Sequence, residues 1–222
     1  MNEGVWAQIA ANLPTVGTDV LRHLEIVLIS VLVGCLIAVP LGVILSRRPK
    51  VAEPVIALTG FLQTVPSLAL LALVLPILGI GLKPAVAAMA LYALLPILRN
   101  TYAGVRGVDW SVVNCARAMG MSPMQVLTQV ELPLAAPVII AGIRLSTIYI
   151  VSWAVLASLI GAGGLGDLIF EGLDSYNFGL VFAGAIPAAL LAIGAGLLFN
   201  WAQAALTPKA LRLQRERREA VA

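Results

Sequence analysis

Five stretches of the chain are almost wholly apolar. They cover residues 24–45, 55–80, 84–105, 134–160 and 178–206, and a membrane-spanning helix needs roughly 20 such residues. The first is broken only by Pro40. The second carries Gln63, Pro66, Ser67 and Pro76, which predicts a helix that is kinked or split. The third loses its apolar character at Arg99, the fourth holds Arg144, and the fifth ends with Asn200 and Gln203. The pattern predicts an all-α polytopic membrane protein forming one domain over 1–222. It has five spans, or six if the second is split.

Composition agrees with this reading. Hydrophobic residues make up 60% of the 222 and charged residues 11%, against about 45–50% and about 25% in soluble domains. A soluble enzyme is thereby excluded. The placement of the charges adds an orientation. With the N-terminus outside, the inner segments 46–52, 106–132 and 207–222 hold ten lysines and arginines, and the outer ones only Arg22 and Lys83. Basic residues favour the cytoplasmic side, so the N-terminus is expected outside and the C-terminus inside. The tail "PKALRLQRERR" reads as a topology-fixing cytoplasmic segment or as a lipid-binding one. Residues 1–19 lack a basic region, a short apolar core and a cleavage site, so the first apolar segment is expected to stay as an anchor. Cys35 and Cys115 fit neither a disulfide framework nor a metal site. The small net charge of +3 gives no reason to expect a nucleic-acid partner.

Only one inter-span loop, 106–133, is long enough to have structure of its own. Asp109 is placed to cap a short helix whose Val112, Val113, Ala116 and Met119 recur at helical spacing. Gly120 stands where that helix would end in a left-handed residue. Ser122 then caps a second short helix, with Pro123 at its first position and Gln125 completing a capping box. Met124, Leu127 and Val130 line up on one side of it, and Leu132-Pro133 hands the chain to the fourth span. A two-residue turn would join the spans as well. A structured elbow therefore points to docking, with plain connection as the alternative.

Inside the spans, four features carry chemistry. Gln63, Pro66 and Ser67 mark either a gate or a proline kink satisfied by its neighbours. Arg144 reads as a packing or gating residue, or as an arginine reaching for the interface. Tyr149 and Trp153 share a helix face and could hold a quaternary ammonium ion or simply pack. Ala188, Ala192 and Gly196 form a small-residue stripe for close helix contact, within one subunit or between two.

The stretch "IGAGGLGD" places Gly161, Gly163 and Gly166 in the spacing of a dinucleotide-binding turn, followed by Asp167. That reading requires a preceding strand, and here a membrane helix precedes. What remains is a glycine-rich turn at the outer end of the fourth span, where positive φ comes without steric cost.

The loop resembles the signature of the permease subunits of ATP-binding-cassette importers, E-A-A-x3-G-x9-I-x-L-P. Ala116, Gly120, Leu132 and Pro133 match, Val130 is a mild replacement, and Asn114 and Cys115 depart from the Glu-Ala of the motif. The resemblance covers roughly residues 20–206. "LQTVPSLALLALVLPILGIG" and "IGAGGLGDLIF" look like the osmoprotectant group, which imports glycine betaine, choline or carnitine-like compounds. It implies a type I importer permease core in a bacterial inner membrane. The elbow would be the coupling element, with Asn114, Ala116, Gly120, Ser122, Pro123, Val130, Leu132 and Pro133 against a cytoplasmic ATPase present in two copies. A second permease, identical or paralogous, and an external binding protein are further implied, with the glycine turn and Asp167 at the external mouth. No catalytic residue, metal or cofactor is expected on this chain, since it has no phosphate-binding loop. ATP and Mg²⁺ belong to the partner ATPase. A methionine- or amino-acid-type importer shares parts of the pattern. A secondary transporter would be expected to show internal repeats, and none is visible.

Overall fold

The computed structural model describes residues 13–206, and every regular element among them is helical. The C-terminal basic tail and the extreme N-terminus lie outside the described residues. In chain order the helices are α1 (Leu13–Ser46), α2 (Pro49–Thr64), α3 (Ser67–Leu78), α4 (Leu82–Arg106) and α5 (Trp110–Ala118). A single turn, α6 (Pro123–Gln125), runs through a π-helical stretch (Val126–Glu131) into α7 (Leu132–Trp153). A 3-10 stretch (Ala154–Ile160), α8 (Leu165–Asp174) and α9 (Phe178–Leu206) complete the order. Pro14–Ser46, Leu82–Arg106, Pro123–Ile160 and Phe178–Leu206 are each long and apolar enough to cross a membrane. The pair α2–α3, bent by 96°, makes a fifth if counted as one broken span.

Helix α4 is the centre of the molecule. Ala85, Ala88, Met89, Ala93, Ile97 and Leu98 along it are fully buried. Between apolar helices in lipid the hydrophobic effect gives little, so association depends on close backbone approach at small residues. Gly34, Ala38 and Gly42 repeat every fourth residue on α1 and form such a stripe. A β-carbon added to Gly34 would lie 2.7 Å from Ala93 Cβ, and one added to Gly42 would lie 2.7 Å from Thr101 Cβ. On the other side of α4, Gly104 faces Ala135 and Val138 of α7, and Gly142 of α7 faces Pro96 and Asn100. The small-residue stripe expected on α9 turns inward as well. Gly196 is buried against Ile148 of α7, and Ala192 packs on the main core. That contact lies within one subunit.

Two elements differ from the sequence expectation. The second helix of the elbow is not separate, since Pro123–Ile160 is one continuous rod. Pro133 lacks an N–H, and its ring would collide with a carbonyl one α-turn earlier. The wider π turn just before it, closed by the Leu132 N–H donating to Leu127 O, lets the helix continue. The segment after the glycine turn, which carries no helix in the sequence reading, forms the ten-residue α8. Its Leu165, Leu168 and Gly172 are buried.

Candidate functional site

Three groups of residues stand out, one at each end of the bundle and one within it. The elbow between α4 and α7 is built as its caps predict. Asp109 accepts from the Ser111 N–H at 2.8 Å and from the Ser111 hydroxyl at 2.8 Å. These two donors hold its carboxyl below the usual carboxylate range, the backbone N–H contributing most. After α5, Gly120 has φ +85°. Its N–H donates to Arg117 O at 2.9 Å, and the Met121 N–H donates to Ala116 O at 3.3 Å. This pair of bonds is the Schellman motif. Ser122 and Gln125 complete the reciprocal capping box, with Pro123 at the first helical position.

The elbow has its own small core. Val113, Ala116 and Val126 are buried together, with Val108, Met121 and Val130 packed against them. Val126 is hidden in the sequence because its neighbour Met124 fits the same apolar spacing. Met124 is exposed, as are Val112 and Met119 of the expected stripe. Asn114 is half-buried on α5, while Leu132 ties the elbow to Val105, Ala135 and Ile139. Of the signature residues, Ala116 and Val130 meet in this small core and Leu132 packs in the neighbouring cluster, while the elbow's outward face keeps several large apolar side chains.

The second group surrounds the break between α2 and α3. Val65 is extended (φ −67°, ψ 127°) and Pro66 caps α3. Freed backbone groups here find partners on α4. Tyr92 Oη donates to Val65 O at 2.6 Å, and Gln63 Nε2 donates to Tyr92 O at 2.9 Å. The Tyr92 carbonyl is available because Pro96, one turn on, has no N–H to give it. Pro96 leaves the Tyr92 carbonyl without a helical donor and the extended backbone at the break leaves that of Val65, and the Gln63 and Tyr92 side chains satisfy them reciprocally. Trp153 packs beside this joint, its ring centroid 4.6 Å from that of Tyr92 and 5.6 Å from that of Tyr149, both pairs tilted. Tyr92 has no signal in the sequence; only its distance from Trp153 in space reveals it. Tyr149 is 40% exposed, so the cluster has an open side. Ser67 opens α3 and is half-buried. Arg144 does not join this group, since its Nη1 donates to Asn200 Oδ1 of α9 at 3.3 Å.

At the opposite end from the elbow, Gly161 (φ +72°), Gly163 (+80°) and Gly164 (+98°) carry the chain through a tight turn. The Gly81 N–H donates to Ile160 O at 2.8 Å, and Arg22 Nε donates to Ala162 O at 2.8 Å. The turn is thereby tied to α4 and α1. Gly166 is needed for close approach alone, since an added β-carbon would lie 2.1 Å from Val155 O. Asp167, Glu171 and Asp174 line a groove of about 560 Å³ beside it. Partial burial pushes the Asp167 carboxyl up, and the Glu171 carboxylate adds to the shift.

A bundle of apolar helices with one broken span, a structured elbow at one end and a glycine-rich turn beside an acidic groove at the other is the architecture of a polytopic membrane protein. Residues 30–212 match the family described as binding-protein-dependent transport system inner membrane component. The chain belongs to this family, whose members are the permease subunits of importers that work with a cytoplasmic ATPase and a substrate-binding protein. It is 52% identical over 195 residues to the carnitine transport permease protein OpuCB of Listeria monocytogenes, covering 88% of this chain and 89% of that one. It is 49% identical, over 88% of this chain and 90% of the other, to the choline transport system permease protein OpuBB of Bacillus subtilis (strain 168). Its fold is similar to an inward-facing structure of the MetNI methionine ABC transporter. The TM-score there is 0.80 at 24% identity, covering 89% of this chain and 99% of that one.

Proposed function

We propose that this chain is the membrane-spanning permease of an ATP-driven importer for trimethylammonium osmoprotectants: carnitine, choline or glycine betaine. The observation that carries the reading is the identity of about half, over 88% of the chain, to permeases named for carnitine and choline. These compounds share one cationic head group, so the substrate class is set by chemistry rather than by one name. The permease works in the inner membrane with its N-terminus outside and its tail inside, as the basic residues favour. It pairs with a second permease, identical or paralogous, and with two ATPase subunits that hold the ATP and Mg²⁺. This chain binds no cofactor of its own.

In this reading the elbow is the coupling element, and the α2–α3 joint with Tyr92, Tyr149 and Trp153 lines the pathway. The glycine turn and its acidic groove form the mouth where an external binding protein docks. The test is uptake of labelled carnitine, choline and glycine betaine in a strain stripped of its own osmoprotectant transporters. Uptake is expected only when the permease, ATPase and binding protein are expressed together. Unchanged uptake of all three compounds would sink the reading.

The aromatic cluster carries its own prediction. A cation over an aromatic face is worth about 0.5–2 kcal/mol, or about 2- to 30-fold in affinity. Trp153→Leu is expected to cut the uptake rate at low substrate by about tenfold, while Trp153→Phe keeps most of it. Equal losses in both variants would mean that Trp153 only packs.

A further inference from the structure

Among the described residues, a side-chain ion pair fastens the elbow to the rest of the bundle. Glu131, the last residue of the π-helical stretch, is only 3% exposed. Its two carboxylate oxygens are both taken by Arg47, Nη1 donating to Oε1 at 3.0 Å and Nη2 to Oε2. Arg47 lies 84 residues away, in the two-residue link between α1 and α2. The cleft around the pair, about 280 Å³, is also lined by Arg106 and Arg117, and Glu131 is the one acid lining it. Among three guanidinium groups at hand, Arg47 alone takes both oxygens.

We propose that Glu131 and Arg47 are positioning residues, a strut that carries displacement of the elbow into α1 and the broken span α2–α3. This rests on the permease reading above. The apolar contacts that also hold the elbow, such as Leu132 against Val105 and Ile139, fix a distance but can slide. A bidentate arginine–carboxylate pair fixes both distance and angle. It does so where the π turn, a feature that recurs at functional sites, joins the elbow to α7. At the other end of the strut, α2 begins two residues after Arg47 and runs to Gln63 at the break. A push on the elbow therefore reaches the root of the helix that carries the joint.

The test uses the whole importer, with this permease, its ATPase and its binding protein reconstituted in vesicles. Labelled carnitine uptake and phosphate release are measured together, per assembled complex. Glu131→Gln leaves Arg47 half in water, so its fold is the least threatened. The apolar pair R47M/E131L removes the strut without leaving a buried charge. Both are expected to lower carnitine carried per ATP hydrolysed by about fivefold, with hydrolysis itself within about twofold of wild type. The ratio is the discriminating readout, because a purely structural role would lower uptake and hydrolysis together and leave it unchanged. Wild-type coupling in E131Q or R47M/E131L overturns the strut. So does a parallel fall of uptake and hydrolysis in both, or failure of every variant to assemble. If wild type itself carries none of carnitine, choline or glycine betaine, the permease reading fails instead, and the two failures are distinguishable.

Discussion

Replacing Gly142 by valine is expected to abolish accumulation of the folded permease. A β-carbon at this position would lie 2.5 Å from Asn100 Cβ, 2.8 Å from Pro96 O and 3.1 Å from Asn100 Cγ. The Pro96 carbonyl is backbone and cannot swing away, and Asn100 is itself held by its Nδ2 donating to that same carbonyl at 2.8 Å. The only relief is separation of α4 from α7, which would open the packing of Ser146 and Ile150 on the central helix. Two effects oppose each other here. Removing a mid-helix glycine gains about 1 kcal/mol in helix propensity, while overpacking a filled core costs about 1–3 kcal/mol or more. The clash wins even for alanine and more so for valine. With total stabilities of about 5–15 kcal/mol, Gly142→Val is expected to leave less than about a tenth of the wild-type amount of monodisperse, detergent-solubilised protein. Gly142→Ala should lower the melting temperature by several degrees. Gly60 of α2 is the control, because nothing lies within 4 Å of its added β-carbon. Gly60→Ala should be neutral or slightly stabilising. A Gly142→Val protein that accumulates and melts like wild type would refute the close-packing account.

The same geometry explains what can be read from the sequence and what cannot. Apolar runs of membrane length locate every long helix, because span length is set by the bilayer and shows without any partner. Caps are equally visible. Asp109, Gly120 and the Ser122/Gln125 box act within four residues of themselves, so their residue types reveal them. The break at Pro66 follows from a backbone donor that proline lacks. Partner choice is less accessible. Gly34, Ala38 and Gly42 stand in plain sight, yet an apolar run of membrane length does not say which of its faces meets which helix. Only α4 on the other side, with Ala93 and Thr101 opposite, turns three small residues into a contact. Helix α8 escapes the sequence reading because it is ten residues long and begins among glycines, which weaken the periodic signal.

Within the candidate sites the division is the same. The residues of the elbow signature share one local unit and are legible together. Tyr92 and Glu131 are not, since their importance comes from partners 27 and 84 residues away. Tyr92 matters because a proline on its own helix frees its carbonyl and the extended break between α2 and α3 leaves that of Val65 for its hydroxyl. Glu131 matters because it is buried, and burial is a property of the packed elbow rather than of the sequence around it. Arg144 shows the converse case. An arginine in a span stands out by its charge, and the structure gives it a plain side-chain partner on α9.

Substituting Gly120 is expected to switch off transport while leaving the bundle intact. At φ +85° an L-residue carries a penalty of about 1–2 kcal/mol from its β-carbon. A β-branched side chain suffers more, because branching crowds the backbone further. Nothing else lies within 4 Å of the position, so the penalty is purely conformational. It falls on the Schellman bonds from Gly120 to Arg117 and from Met121 to Ala116, which set the angle between α5 and the rod that becomes α7. Each 1.4 kcal/mol is about tenfold in population, so the competent elbow geometry becomes a minor state in Gly120→Val. The spans, whose packing does not involve Gly120, should assemble normally. Carnitine uptake per assembled complex is then expected to follow the tolerance of each residue for the left-handed region. Gly120→Asn should stay near wild type, Gly120→Ala should fall about tenfold or less, and Gly120→Val should lose more than about tenfold. The order separates a backbone requirement from steric interference at the ATPase surface. Interference would penalise the larger asparagine at least as much as alanine, whereas backbone strain spares asparagine. If Gly120→Val carried substrate as fast as Gly120→Asn, the left-handed turn would be a mere connection, and the elbow would have no part in coupling.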